Sequence, residues 1–252
     1  MISYQLYSSR KFGPLPETLR MLADLGYPAV EGYGALFADA GARAGLTAGL
    51  HETGLAMPTA HVGLATLEAE PDLPAHLAEM GVETAFVPSI PPAERPSDPA
   101  GWRAFAERLA AAARGIEAAG LRAGWHNHDF EFAALPDGTV PMDHLLGGTR
   151  LDWQFDVAWA VRAGADPMDW IARHGDRISA VHVKDIAPAG EKADEDGWAD
   201  PGTGTMDWPA LARALADVDV RHWVMEHDNP SDDRRFAEAG LAAARALDGV
   251  PA

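Results

Sequence analysis

Short strand-like runs alternate with longer helix-like stretches along the whole chain, and no other feature constrains the fold as much. The runs are YQLYS, AVEGYG, PTAHVGL, AFVPSI, LRAGWHNH, LDWQFD, ISAVHVKD and RHWVMEH. Between them lie segments with apolar residues at helical spacing. One is PETLRMLADLG, where Gly26 supplies a C-terminal stop, and another is an alanine-rich stretch from Pro99 to Gly120. Strands never cluster without an intervening helix, which is the pattern of repeated βα units. Eight units in 252 residues, roughly thirty residues each, match a single-domain (β/α)8 barrel over residues 1–252. A doubly wound open sheet is the rival, but no G-x-G-x-x-G turn follows the first strand, so its usual dinucleotide mark is missing.

In a strand, alternate side chains share a face, and barrel strands carry their chemistry at the C-terminal end. In the fifth run His126 and His128 share a face; in the sixth, Gln154 and Asp156 do so, against Trp153 and Phe155. The seventh pairs His182 with Lys184, and in the eighth Glu226 follows Met225 on the opposite face. With the polar face turned inward, four consecutive strands deliver His126, Asp156, His182 and Glu226 to one rim. Their spacings of 30, 26 and 44 residues are each about one βα unit, the last lengthened by a loop.

Two imidazoles and two carboxylates suit one divalent ion of borderline-to-hard character (Mn, Zn, Co, Fe or Mg) better than calcium, which favours oxygen alone. The chain has no cysteine, so thiolate sites are impossible. His128 is an alternative ligand or a substrate contact. His61 and Glu31, ending the third and second strands, are placed for the same cavity, as substrate-binding groups or as hydrogen-bonded structural ones.

Charge narrows the partners. With 20 basic against 38 acidic side chains the formal charge is −18, which repels phosphate backbones and anionic membranes. The opening MISYQLYSSRKF has no basic segment followed by an apolar run of signal-peptide length, and no uncharged run is long enough to span a bilayer. The expectation is a cytoplasmic protein with a small-molecule partner, no nucleic acid and no membrane. A homo-oligomer is left open.

At this point the sequence resembles the sugar phosphate isomerase/epimerase family of xylose isomerase-like TIM barrels. QLYSSR, WHNHDFEF, LDWQFDVAWAVRAGADP, VHVKD, GTGTMDW and VMEHD are similar to family motifs in the same order. The resemblance implies one divalent metal held at the C-terminal rim by strands five to eight, usually by Glu, Asp, His and Glu. The matching positions are His126, Asp156, His182 and Glu226, so a histidine stands where the first glutamate is usual. The family also often has a histidine three residues after the aspartate, where this chain has Trp159.

The implied activity is metal-dependent isomerisation or epimerisation of a ketose, keto-sugar or sugar phosphate through an enediolate. Glu226 is the first choice for proton transfer, with His128 and Lys184 as the other catalytic candidates and Glu131 in reserve if its loop folds inward. Asp185 reads as a cap or a catalyst. Trp159 and Trp198 are candidate sugar-stacking rings, with core packing as the alternative. Metal-dependent lyase, hydratase or deglycosylating chemistry on keto-glycosides is the alternative reaction, and a non-catalytic sugar-binding barrel the alternative of another class. The acidic, glycine-punctuated loop from Ala187 to Thr205 is expected to be a mobile lid with little apolar area to bury, anchored by Trp198.

Overall fold

The computed structural model describes residues 1–250. Eight parallel strands close into a barrel: β1 (Ile2–Gln5), β2 (Ala29–Gly32), β3 (Ala56–His61), β4 (Thr84–Val87), β5 (Arg122–His126), β6 (Asp152–Asp156), β7 (Ile178–Val183) and, last in the chain, β10 (His222–Met225). Each neighbours the next in sequence order, and β10 closes the ring on β1 through Ile2–Trp223, Ser3–Val224 and Tyr4–Met225. The additions to the expected pattern are β8 (Asp185–Ile186) and β9 (Trp198–Ala199), an antiparallel pair outside the barrel.

The strands are buried on both faces, as a parallel sheet wrapped in helices must be, and they divide their side chains between two cores. On β6, Trp153 and Phe155 point outward. Trp153 meets Trp170 of the helix Pro167–His174 at 5.9 Å, while Gln154 and Asp156 point into the barrel mouth. The long helix runs Pro99–Ala118, capped by the Asp98 carboxylate on Gly101 N–H and covering β5 with Trp102, Phe105, Leu109 and Ile116. Gly26 ends the first helix at φ 90°, a left-handed turn that glycine takes without steric penalty.

At the N-terminal end of the barrel, Arg122 at the start of β5 grips both carboxylate oxygens of Asp152 at the start of β6, and Arg221 adds a contact of 3.3 Å. The Met1 amino group donates to Arg221 O at 2.6 Å, and Arg177 donates to the carbonyls of Leu151 and Leu146. Among the described residues no helix is long and apolar enough to cross a membrane.

Candidate active site

The opposite, C-terminal mouth holds a cavity of about 270 Å³ lined by Gln5, Tyr7, Tyr33, His61, His126, His128, His182, Glu226 and Asp228 among others. A larger groove of about 730 Å³ lies elsewhere, against the helix Pro99–Ala118 and Arg177, but it is open and brings no imidazoles together. The candidate site is therefore at the mouth.

His126, Asp156 and His182 all come from strand ends, and Glu226 stands one residue beyond β10. The four do not form a single quartet. Asp156, His182 and Glu226 offer ligand atoms within 4.8 Å of one another, and so do His61, His126 and His182. The two triads share His182. Its Nδ1 lies 3.8 Å from Asp156 Oδ2 and 3.9 Å from Glu226 Oε2, and none of these three buried atoms has a hydrogen-bond partner.

Lys184 stands beside this triad with its ammonium buried. It donates to Asp228 Oδ2 at 2.7 Å and lies 3.2 Å from Asp156 Oδ2 and 2.5 Å from Glu226 Oε2. Only the Asp228 contact has hydrogen-bond directionality; the other two are charge pairing off the bond axis. Burial works against the ammonium, but the charges of Asp156, Asp228 and Glu226 outweigh it and hold it above the ordinary lysine range. Glu226 is pushed up to about 7, first by burial and then by the Asp228 carboxylate.

Beneath the triad lies Glu31, fully enclosed. Its Oε1 accepts from Gln5 Nε2 and His182 Nε2, both at 2.7 Å, and its Oε2 accepts from Gln154 Nε2 at 2.6 Å. Burial alone would raise this carboxyl, yet the facing His61 and His182 hold it at about 2. Gln154 Oε1 in turn meets His61 Nε2 at 2.5 Å and His126 Nδ1 at 3.0 Å. Burial lowers the pKa values of His61 and His126, and for His126 the neighbouring histidines lower it further. The Glu31 carboxylate raises His182 against its own burial.

His128 lines the cavity with Nδ1 unpartnered, and burial brings it down to about 3. Trp159 and Trp198 pack edge to face at 4.8 Å beside the Lys184 ammonium, which is 5.3 and 4.6 Å from their ring centres, so both are set back from the cavity wall. Glu131 turns away from the cavity: its two oxygens accept from Trp125 Nε1 and His128 N, fixing the chain after β5. Asp185 is a cap, its carboxylate accepting the N–H groups of Ile186, Gly202, Gly204 and Met206.

The loop departs from the expectation of little buried area. Trp198 and Ala199 are buried, Arg162 stacks 3.4 Å over the Trp198 ring, and buried Glu195 is held by Arg235 and by Ser231. Gly204 sits so close to Asp185 that a side chain there would collide with the carboxylate.

Residues that strand periodicity did not single out complete the mouth. Gln5, Asp228 and the edge-to-face pair Tyr7 and Tyr33, 5.4 Å apart, line it. Asn127, between the two histidines of WHNH, faces the other way and clamps β6: its Oδ1 accepts from Asp156 N and Trp153 Nε1, and its Nδ2 donates to Asp156 O. The strand alternation that paired His126 with His128 carried this signal, since Asn127 had to point into neighbouring backbone.

A closed parallel barrel with imidazoles and carboxylates gathered at its C-terminal mouth, in groupings that could hold a metal, defines a TIM-barrel protein. The chain belongs to the xylose isomerase-like TIM barrel family, which it matches over residues 19–247. It is 25% identical over 138 residues to the rhizopine catabolism protein MocC of Rhizobium meliloti, a match covering 49% of this chain and 42% of that protein, less than half its length. Among solved structures, a sugar phosphate isomerase/epimerase from Parabacteroides distasonis superimposes with a TM-score of 0.82 at 20% identity, covering 99% of both chains. The IolI protein, solved with a zinc atom, gives 0.77 at 13% identity over 99% of this chain and 97% of that one. At such identities the likeness establishes the fold.

Proposed function

We propose that this protein is a divalent-metal-dependent isomerase or epimerase acting on a ketose, keto-sugar or sugar phosphate. One observation carries the reading: His182 Nδ1, Asp156 Oδ2 and Glu226 Oε2 are buried, mutually close and without hydrogen-bond partners. The Lys184 ammonium accounts for the charge of the two carboxylates but not for His182 Nδ1. One nitrogen and two carboxylate oxygens are a donor set for Zn, Mn, Co, Fe or Mg, so the residues fit the ion. His126, from the adjoining histidine triad, is the fourth member of the proposed set. The zinc in IolI and the isomerase/epimerase name of the Parabacteroides structure support the same reading.

When bound, the ion supplies a Lewis acid at a substrate carbonyl and neighbouring hydroxyl, which eases loss of the adjacent proton and stabilises the enediolate. The chain's own residues do the rest. Glu226, buried at the mouth and 2.5 Å from the Lys184 ammonium, is the proton carrier of this reading. Lys184 stays charged, so its role is to stabilise negative charge on a substrate oxygen and not to act as a base. His128, neutral and with a free Nδ1 in the cavity, is the second proton carrier. His61 faces substrate directly, whereas Glu31, Trp159 and Trp198 act on it through His182 and Lys184. Because a histidine stands at position 126, two opposed glutamates are not available, and a single-carboxylate reaction follows.

The test is elemental analysis of purified protein, followed by a screen of ketoses and 3-keto-glycosides in deuterated water. One divalent ion per chain, lost in His182→Ala, and deuterium at one substrate carbon are expected. Glu226→Gln should keep part of its metal and lose roughly 10²–10⁴-fold in exchange rate. A wild-type protein without metal that exchanges no sugar proton would overturn the reading. Loss of a substituent without isomerisation would redirect it to a lyase.

A further inference from the structure

We propose that Gln154 and Glu31 assign the protons of three histidines, making Gln154 a positioning residue for a metal that it does not touch. Glu31 is enclosed by two amides and two imidazoles, with the Gln5 amide nitrogen fixed toward it, so its two oxygens act as acceptors. The Gln154 group lying 2.6 Å from Glu31 Oε2 must therefore be the amide nitrogen, which fixes the orientation of the whole amide. Its oxygen then faces His61 Nε2 and His126 Nδ1. Since that oxygen cannot donate, both ring nitrogens must carry hydrogen.

Neutral His61 is left with its lone pair on Nδ1, and neutral His126 with its lone pair on Nε2. Glu31 Oε1 imposes the same choice on His182: Nε2 carries the hydrogen, and the lone pair of the neutral ring falls on Nδ1, the atom facing Asp156 and Glu226. Gln5 is locked as well, because its Oε1 accepts from Tyr7 N while its Nε2 donates to Glu31. One carboxylate and one amide thus decide which nitrogen each imidazole presents. A histidine ligand needs its tautomer fixed by an outer partner, and loss of such a partner commonly weakens metal binding 10–100-fold.

The experiment is long-range ¹⁵N–¹H correlation spectroscopy on histidine-labelled protein stripped of metal by a chelator, paired with a Co²⁺ titration. The wild type should show His126 protonated at Nδ1 and His61 at Nε2, each as a single neutral tautomer. In Gln154→Met, similar in length but without the amide, His126 should become a tautomer mixture, whereas His61 Nε2, still 3.3 Å from Glu31 Oε1, should keep its hydrogen, and Co²⁺ affinity should fall by about 10–100-fold. His126 protonated at Nε2 in the wild type overturns the proposal. An unchanged His126 tautomer in the variant does so as well, and if the variant does not fold, the wild-type spectrum decides alone. The affinity arm rests on the metal reading above, whereas the tautomer arm does not. A protein that binds no Co²⁺ yet shows these tautomers sinks that reading and leaves this one standing.

Discussion

The two ends of the barrel handle charge in opposite ways. At the N-terminal end, Asp152 is matched by Arg122 and Arg221, and the Arg122 side chain is 55% exposed, so water shares the work. At the C-terminal mouth, Asp156, Glu226 and the Lys184 side chain are each 5% exposed or less, and acceptor atoms remain without hydrogen bonds. A chain selected for stability alone would complete those bonds or replace the groups with apolar ones. The difference sets a fastener at one end against, in the proposed reading, a cation site at the other.

The comparison breaks most visibly at Lys184. Lys184→Met leaves the buried Asp156 and Glu226 and the partly exposed Asp228 facing one another and should destabilise metal-free protein by about 3–5 kcal/mol. Added Mn²⁺ should recover a large part of that loss, because a cation there again offsets the carboxylates. Denaturant unfolding with and without the ion reads both effects; a loss below about 1 kcal/mol, the range of a surface pair, would erase the contrast between the two ends.

A second, intermediate effect appears with pH. Burial raises the Glu131 carboxyl to about 8 from an ordinary value of 4.5, so over that interval the folded chain holds a proton that the unfolded chain has released. Its contribution to stability is full below about 4.5 and is lost as pH rises through about 8, with a slope of at most about 1.4 kcal/mol per pH unit. Glu131→Gln should flatten the stability profile across this interval, whatever constant offset the new amide introduces. A slope identical to wild type would mean that the carboxyl is ionised throughout.

The smallest effect belongs to the other end. Arg122→Ala should cost about 1 kcal/mol or less and leave metal content and turnover untouched, since Arg221 still covers Asp152. A change in metal content would show that the two ends are coupled through β5.

Much of the mouth was legible because strand alternation and βα spacing are local rules. They brought His126, Asp156, His182 and Glu226 to one rim. Their separation into two triads was not legible, because it depends on how far each side chain reaches from its strand. The role of Gln154 was hidden for a different reason: an amide carries no motif, and its meaning comes from Glu31 on a strand 123 residues away in sequence. The loop after β7 misled by composition. Acidic and glycine-rich, it reads as solvent-facing, yet its glycines bring backbone N–H groups to Asp185, and its acids meet Arg235 on the last helix. Long-range polar pairing of this kind leaves no periodic trace.

Asp156 divides its carboxylate. One oxygen, Oδ1, accepts the N–H of Trp159 at 2.9 Å and starts the helix Val157–Arg162, while Oδ2 faces His182. A cation at the mouth would therefore find Asp156 a one-oxygen, monodentate partner, because the other oxygen is committed to the backbone. Denticity, and with it part of the coordination number open to a substrate, is then decided by where a helix begins. Lengthening Asp156 to glutamate would give up the cap and free both oxygens, changing how many positions around the ion remain for a sugar while leaving the net charge of the site the same.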